Sequence, residues 1–450
     1  MLDLYSTLAS EGEGSEAASS ALAALVQSIS NSGYQLVVSS ATPQPSKEQG
    51  VVSMSGNLPG AGGEDQAPTI VIVAHYDSAG AAPNLATGAD SNGSGVSILL
   101  EMARLFSSLY SSSRSHPAYS LVFLLSGGGK INYAGTKRWL EEHLDMDTTS
   151  DLLANVDFVL CLDSLGKSSP LKLHVSKPPK EGSAGDVFLK NLNSVSKSLY
   201  GSPEVEMVHK KINLADDSLA WEHERFSIRR LPAFTLSTLP GPQSPARATI
   251  LDTVETVPAA ALEQHTRVIA EALACSLYPK LADGGCSGQL FAGSLSPSSD
   301  SLTGWLDLAT AQPRHPSLLV GKNSGQCHNF VCLIFKKFIF SDVVKSLTAA
   351  LSRYTHDVVK VVSTPDRREP EYVLYDTPSA TLNVYRVKPA VFDLFLSSAI
   401  GCYLALVYLL INNSSVIIMF LTGLVKEKEV EMNGHSKSNG VKNGHKLHAY

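Results

Sequence analysis

The sequence predicts an α/β domain, a mixed and mostly parallel sheet with helices on both faces, followed by a C-terminal transmembrane helix. Three patterns carry this. Short β-branched runs such as Thr69-Ile70-Val71-Ile72-Val73-Ala74 lack the alternation of a half-solvated strand and read as strands buried on both faces. These runs alternate with stretches of helical periodicity, the pattern of a parallel sheet with crossover helices. Near the end, Val391 to Val425 carries one charged residue, Asp393, in 35 positions.

The elements follow in order. Leu22, Leu25, Val26 and Ile29 fit a helix within residues 11–32. Residues 42–66, rich in Pro, Gly and Ser, are expected as loop. After the strand at 69–74, Val96, Leu99, Leu100, Ala103 and Phe106 mark a helix over 94–110. Further strands are expected at 120–125, 156–163 and 232–237, with helices at 132–143 and 258–277. Residues 1–283 form the expected domain. Residues 284–390 are expected to be an irregular linker and membrane-proximal segment, helical only near 341–358. Within it, 326–340 is apolar, with Cys327 and Cys332, but too short and too charged to span a membrane.

A span needs about 20 apolar residues, which 391–411 with a little flank supplies. Asn412-Asn413-Ser414-Ser415 then breaks the run. Residues 412–425 are expected to lie at the membrane interface, and 426–450 to form a polar, disordered tail. Two basic residues precede Val391 within fifteen positions and three follow Val425, a slight bias toward a cytosolic C-terminus.

Composition narrows the function. Of 450 residues, 44% are hydrophobic and 17% charged, enough apolar material for a core. A net charge of -6 without a basic stripe argues against nucleic acid as a direct partner. Six irregularly spaced cysteines make neither a disulfide framework nor a zinc ribbon. Residues 1–14 have neither a basic start nor a sustained apolar stretch, so no signal peptide is predicted there.

Ligands bind at the carboxyl ends of strands in open α/β sheets. The first buried run ends in His75-Tyr76-Asp77, and Gly88 to Gly95 forms a glycine-rich turn containing Asp90, just before a helix. His75 offers a ring nitrogen, Asp90 a carboxylate, and Asp77 a group that could orient the imidazole. Alone, a His-x-Asp at a strand end is more often structural.

The combination of Ala74-His75-Tyr76-Asp77, Gly88 to Val96, and Leu99-Leu100-Glu101-Met102-Ala103-Arg104 resembles the zinc-dependent aminopeptidase superfamily, from about residue 69 to 278. That superfamily includes inactive relatives such as nicastrin and the transferrin receptor. The resemblance implies five metal-ligand positions and a glutamate base. His75, Asp90 and Asp163 match three ligands. Counting back from the Gly135-Thr136 step puts Gly129 at the base and Lys130 at a fourth ligand, and no Asp or Glu lies between 102 and 140. The last ligand, a histidine in the family frame, falls on Ala248 of Ala248-Thr249-Ile250-Leu251-Asp252-Thr253. Glycine accepts no proton, alanine offers no ligand and an ammonium repels metal, so neither a bound cofactor nor hydrolysis is expected. Two readings of Lys130 stay open: its ammonium replaces the metal beside Asp90 and Asp163, or it points to solvent.

Longer stretches tighten the resemblance: Ser126 to Lys130, Gly135 to Glu141, Val159 to Asp163, His174 to Pro179, Ala220 to Phe226 and Tyr385 to Leu394 resemble the nicalin family. That resemblance implies a single-pass protein of the endoplasmic reticulum membrane with its bulk in the lumen. It further implies a complex with the nodal modulator protein and a small multi-spanning membrane protein. Such a complex acts beside the Sec translocon and ribosome in inserting multi-spanning proteins, and is linked to restraint of Nodal signalling. Membrane lipid is the other expected contact. The family begins with a signal sequence and a longer lumenal lead-in, so a partial or variant chain is expected; residues 318–338 depart from its pattern. Asn92-Gly93-Ser94 is a sequon set in the old active-site loop, a poor place for a glycan.

The rival expectation is an active zinc-dependent exopeptidase with rearranged ligands, in which Glu141, Glu142 or Glu101 replaces the base. A third is a receptor holding a peptide terminus by His75 and Asp163. Trp139, Trp221 and Trp305 are aromatic anchor candidates, with core packing expected for the first two.

Overall fold

The structure is a computed structural model. It describes residues 33–46, 50–61, 67–144, 153, 155–201, 204–278, 290–319, 343–366, 368, 370–375, 380–386 and 390–436. The helix expected within 11–32 and the apolar stretch 326–340 lie outside them. The chain divides into two units: residues 41–379, and residues 1–40 together with 380–450.

The larger unit holds an eight-stranded sheet. Its strands are β2 (Val51–Leu58), β3 (Thr69–His75), β4 (Ser120–Ser126), β5 (Val156–Leu162), β6 (Lys172–Val175), β7 (Glu206–His209), β8 (Ala233–Ser237) and β9 (His356–Ser363). They are ordered β7-β6-β8-β5-β3-β4-β2-β9. The central strands β8, β5, β3 and β4 are parallel, while β6 joins β8 and β2 joins both β4 and β9 antiparallel. The sheet is mixed, with a parallel centre, as expected.

Alternate residues of the central strands feed two cores. Ile70, Ile72 and Ala74, with Leu121, Phe123, Phe158 and Leu160, pack on one face against helices α1 (Gly95–Tyr110), α3 (Ala184–Tyr200) and α5 (Ala259–Leu277). Val71, Val73, Val122, Leu124 and Val159 pack on the other against Trp139 and Leu140 of α2 (Ala134–Leu144) and Phe226 of α4 (His223–Ile228). Burial on both faces is why these strands read as unbroken apolar runs.

The segment 284–390 is not the irregular linker expected. It supplies helix α6 (Ser299–Thr310), helix α7 (Val343–Ser352) and the edge strand β9. Leu302 and Ala309 of α6, and Leu347 and Leu351 of α7, join the main core. Glu101 of α1 ties the segment down by accepting hydrogen bonds from Trp305 Nε1 and from the Ser298 N–H. Trp305 is thus half-buried, whereas Trp139 and Trp221 are buried, as expected for them. Strand β2 also corrects an expectation, since 51–58 lies within the stretch read as loop. Its serines, glycine and asparagine mask a strand whose Val51, Met54 and Leu58 are buried.

In the smaller unit β1 (Tyr34–Ser40) pairs antiparallel with β10 (Ala380–Arg386). Helix α8 (Ala390–Asn412) follows and is the candidate span, long and apolar enough to cross a membrane. Helix α9 (Ser414–Ser436) starts after Asn413. It runs on through Lys426, Lys428 and Glu431, where a disordered tail was expected. Opposite charges fall at (i, i+3) within 426–431, a spacing that a helix brings together.

Candidate functional site

The chain passes from β3 through α1 to β4 on one side of β3, then crosses to β5 on the other. The carboxyl ends of β3 and β5 therefore flank the switch point where α/β sheets bind ligands. His75 closes β3 and Asp163 follows β5, and both are buried. Asn92 knits the two ends together. Its amide donates to the carbonyls of Leu162 (2.7 Å) and His75 (3.2 Å), and its oxygen accepts from the N–H groups of Ser164 and Gly95. Its fully buried side chain cannot carry a glycan.

The turn 89–94 before α1 is held by Asp252, whose carboxylate accepts the N–H groups of Asp90 (2.7 Å) and Ser91 (2.8 Å). Asp90 in turn accepts from the Gly166 N–H at 2.7 Å and from Ser94 Oγ. Its second oxygen, Oδ2, has no partner. Burial pushes the Asp90 carboxyl up to about 6, and Asp252 and Asp163 nearby push the same way.

His75 is oriented by a residue the sequence reading did not single out. Its Nδ1 meets Glu222 Oε2 at 3.3 Å, while Glu222 Oε1 accepts from Ser126 Oγ (2.5 Å) and Thr136 Oγ1 (2.6 Å). Asp77, expected to orient the imidazole, instead accepts the backbone N–H groups of Gly129 (2.7 Å) and Lys130 (2.8 Å). Asp77 lies past the end of β3, where strand alternation no longer sets its direction, and it faces the neighbouring loop at 129–130 instead. That loop holds Gly129 against the His75 ring. A Cβ on Gly129 would lie 2.3 Å from the imidazole Cγ, so the ring fills the space beside the position expected for the base.

Lys130 does not pair with Asp90 or Asp163. Its Nζ donates to Ser91 Oγ at 2.7 Å. Burial, with Arg247 beside it, lowers its ammonium to about 8, against the pull of Asp163, Asp77 and Asp252. The cation on Asp163 is Arg247, a second residue the sequence reading missed. Its Nη2 donates to Asp163 Oδ2 at 2.5 Å and to Tyr133 Oη at 3.0 Å, and Nη1 reaches the carbonyls of Ala220 and Pro242. The guanidinium stacks 4.7 Å above the Trp221 ring. Burial alone would raise the Asp163 carboxyl, but Arg247, His75, Lys130 and Ser164 hold it well below the ordinary range. The signal for Arg247 was its place one residue before Ala248, the position expected for the last ligand; Ala248 itself is exposed. Asn132, Tyr133 and Ser164 around the site adopt left-handed backbone conformations, φ 57°, 54° and 53°.

The donor set does not fit zinc. Asp163 Oδ2 is taken by Arg247 and Oδ1 by Ser164 Oγ at 2.9 Å. Of the five ligand positions, only His75 Nε2 and Asp90 Oδ2 are buried oxygens or nitrogens without a partner. A zinc site keeps at least three protein ligands, and among the described residues no group of three or more His, Cys, Asp or Glu could hold a metal. The glutamates of the rival reading are engaged elsewhere. Glu101 pairs with Arg104 in the core, and Glu141 and Glu142 pair with Lys137 and Arg138 along α2.

Residues 56–273 match the model of Peptidase family M28. The Danio rerio protein named "BOS complex subunit ncln" is 47% identical over 438 residues, 94% of this chain and 73% of that protein. The Caenorhabditis elegans protein named "Nicalin" is 30% identical over 434 residues, 92% of this chain and 72% of that one. The crystal structure of the gamma-secretase component nicastrin is similar at a TM-score of 0.46 and 11% identity, covering 77% of this chain and 69% of that chain. A chain 47% identical to its relative across most of both lengths, with an aminopeptidase-like domain, belongs to the nicalin family.

Proposed function

We propose that this chain is a non-catalytic, membrane-anchored subunit of a BOS-type complex. The observation that carries the reading is the capped site. Gly129, where the family resemblance would put the general base, is pressed against His75, and Asp163 is closed by Arg247. The relatives' name, BOS complex subunit, supplies the class of assembly. The resemblance to the nicalin family supports finer assignments: the nodal modulator protein and a small multi-spanning protein as partners, and a place beside the Sec translocon and ribosome during insertion of multi-spanning proteins. A link to restraint of Nodal signalling rests on the same resemblance.

Residence in the endoplasmic reticulum, with the larger unit in the lumen, is part of this proposal. Helix α8 supports a single-pass anchor. Cys275 is disulfide-bonded, which supports an oxidising compartment for the larger unit. The old cleft serves as rigid scaffold, its polar groups spent on holding loops. Affinity purification of the tagged full chain from membranes in mild detergent tests the reading, paired with an aminopeptidase assay on the same preparation. The expected result is co-purifying membrane partners with no peptide-bond cleavage. Cleavage by the pure chain, or recovery of the chain without partners, would overturn it.

A further inference from the structure

We propose that the old metal cradle has exchanged its metal for a resident guanidinium: Arg247, seated on Asp163, is the cation this fold now carries there, and it keeps divalent metal out. The inference deepens the non-catalytic reading and rests on it. Arg247 is fixed from several sides, by Asp163, by Tyr133 Oη, by the Ala220 and Pro242 carbonyls, and by the face of Trp221. A planar fork held this way is a built site, unlike the loose placement of a surface arginine. With Arg247 in place, Asp163 Oδ2 is held by a guanidinium whose charge repels a dication, and Oδ1 already accepts from Ser164 Oγ. His75 Nε2 and Asp90 Oδ2 then remain, two donors where three are needed. The Lys130 ammonium, on Ser91 beside the Asp90 turn, adds a second positive charge against an entering dication.

The exchange has a physical consequence. A bound metal stabilises a fold only while free metal is present, because its contribution depends on concentration. A guanidinium belongs to the chain and keeps its charge at every physiological pH. The scaffold is therefore indifferent to metal supply, whereas an unpaired Asp163 would be a buried, uncompensated charge.

The test uses the full chain in mild detergent. Neither chelator nor excess zinc chloride should move the wild-type Tm, and dialysis against zinc followed by metal analysis should find none bound. Arg247→Met should lower Tm by about 5 °C, and adding Asp163→Asn should recover most of that loss. Arg247→Ala with Lys130→Ala should take up zinc and gain Tm from it, a gain abolished by His75→Ala. Stoichiometric zinc in the wild type, no recovery in the Arg247→Met/Asp163→Asn pair, or no zinc uptake after removal of both cations would each overturn the inference. The wild-type metal measurement decides even if the variants fail to fold. Zinc in the wild type alongside undiminished partner recovery would sink this inference and leave the assembly proposal standing.

Discussion

Glu222 holds His75 by its ring Nδ1 at 3.3 Å, across 147 positions of sequence, and uses its other oxygen to accept two hydroxyl donors. The carboxylate is buried, so it joins the ends of β3, β4 and α2 into one network. Glu222→Leu should leave the Ser126 and Thr136 hydroxyls and the imidazole without their acceptor, costing about 3–5 kcal/mol. Glu222→Gln keeps the shape and one acceptor, and should cost about 1–2 kcal/mol. Denaturant unfolding of the two variants measures the difference; equal losses would mean that the charge, not the shape and acceptor that glutamine keeps, holds the network.

Restoring the family's base should not restore chemistry. The Cβ that Gly129→Glu introduces lies 2.3 Å from the His75 ring, and neither backbone nor the buried ring has room to yield. The variant should lose about 1–3 kcal/mol from overpacking and gain no aminopeptidase activity, even combined with Ala248→His. A peptidase assay with a thermal melt checks both halves.

The sequon at Asn92 should remain unmodified. Its Nδ2 donates to two strand-end carbonyls and is sealed from solvent. Endoglycosidase treatment should leave any mobility shift unchanged between wild type and Asn92→Gln. The longer glutamine should instead lower stability by about 2 kcal/mol, because it misplaces a four-bond hub.

Acid should weaken the larger unit through His223. Its Nδ1 meets Thr235 Oγ1 at 2.8 Å and its Nε2 meets Ser176 Oγ at 2.9 Å. Burial, and then His174, push it down from 6.5 to about 3. The unfolded chain therefore takes up this proton first as pH falls. The contribution is full above about 6.5 and is lost progressively toward about 3, a few kcal/mol in all. Glu224 and Glu271 are pushed up by burial and act in the opposite sense, so the comparison must be against a variant. His223→Asn should flatten the pH dependence of unfolding between those limits; an unchanged slope would remove His223 as its cause.

The centre of the fold was legible in the sequence, for a local reason. Strands β3, β4, β5 and β8 are buried on both faces, so each is a dense apolar run; α1 and α5 carry long helical periods. The edges were not legible. Strand β2 hides among serines and glycines, β6 and β7 are four residues each, and β9 reads as the end of a helix. Of these, β7 and β9 are the sheet edges and largely exposed, β6 and β7 are short, and buried β2 takes its identity from the neighbours that pair with it.

At the site, the sequence by itself determined which groups Gly129 and Ala248 cannot supply. The absence of a side chain at Gly129 and of a ligand at Ala248 is a property of composition at fixed positions, and no folding can supply either group. Tertiary structure alone decided what stands in their place. Arg247 meets Asp163 across 84 positions, Glu222 meets His75, and Asp77 turns from the imidazole to the loop at 129–130. Chemical identity is written residue by residue, whereas a partnership between buried charges depends on distances that exist only once the strands are laid side by side.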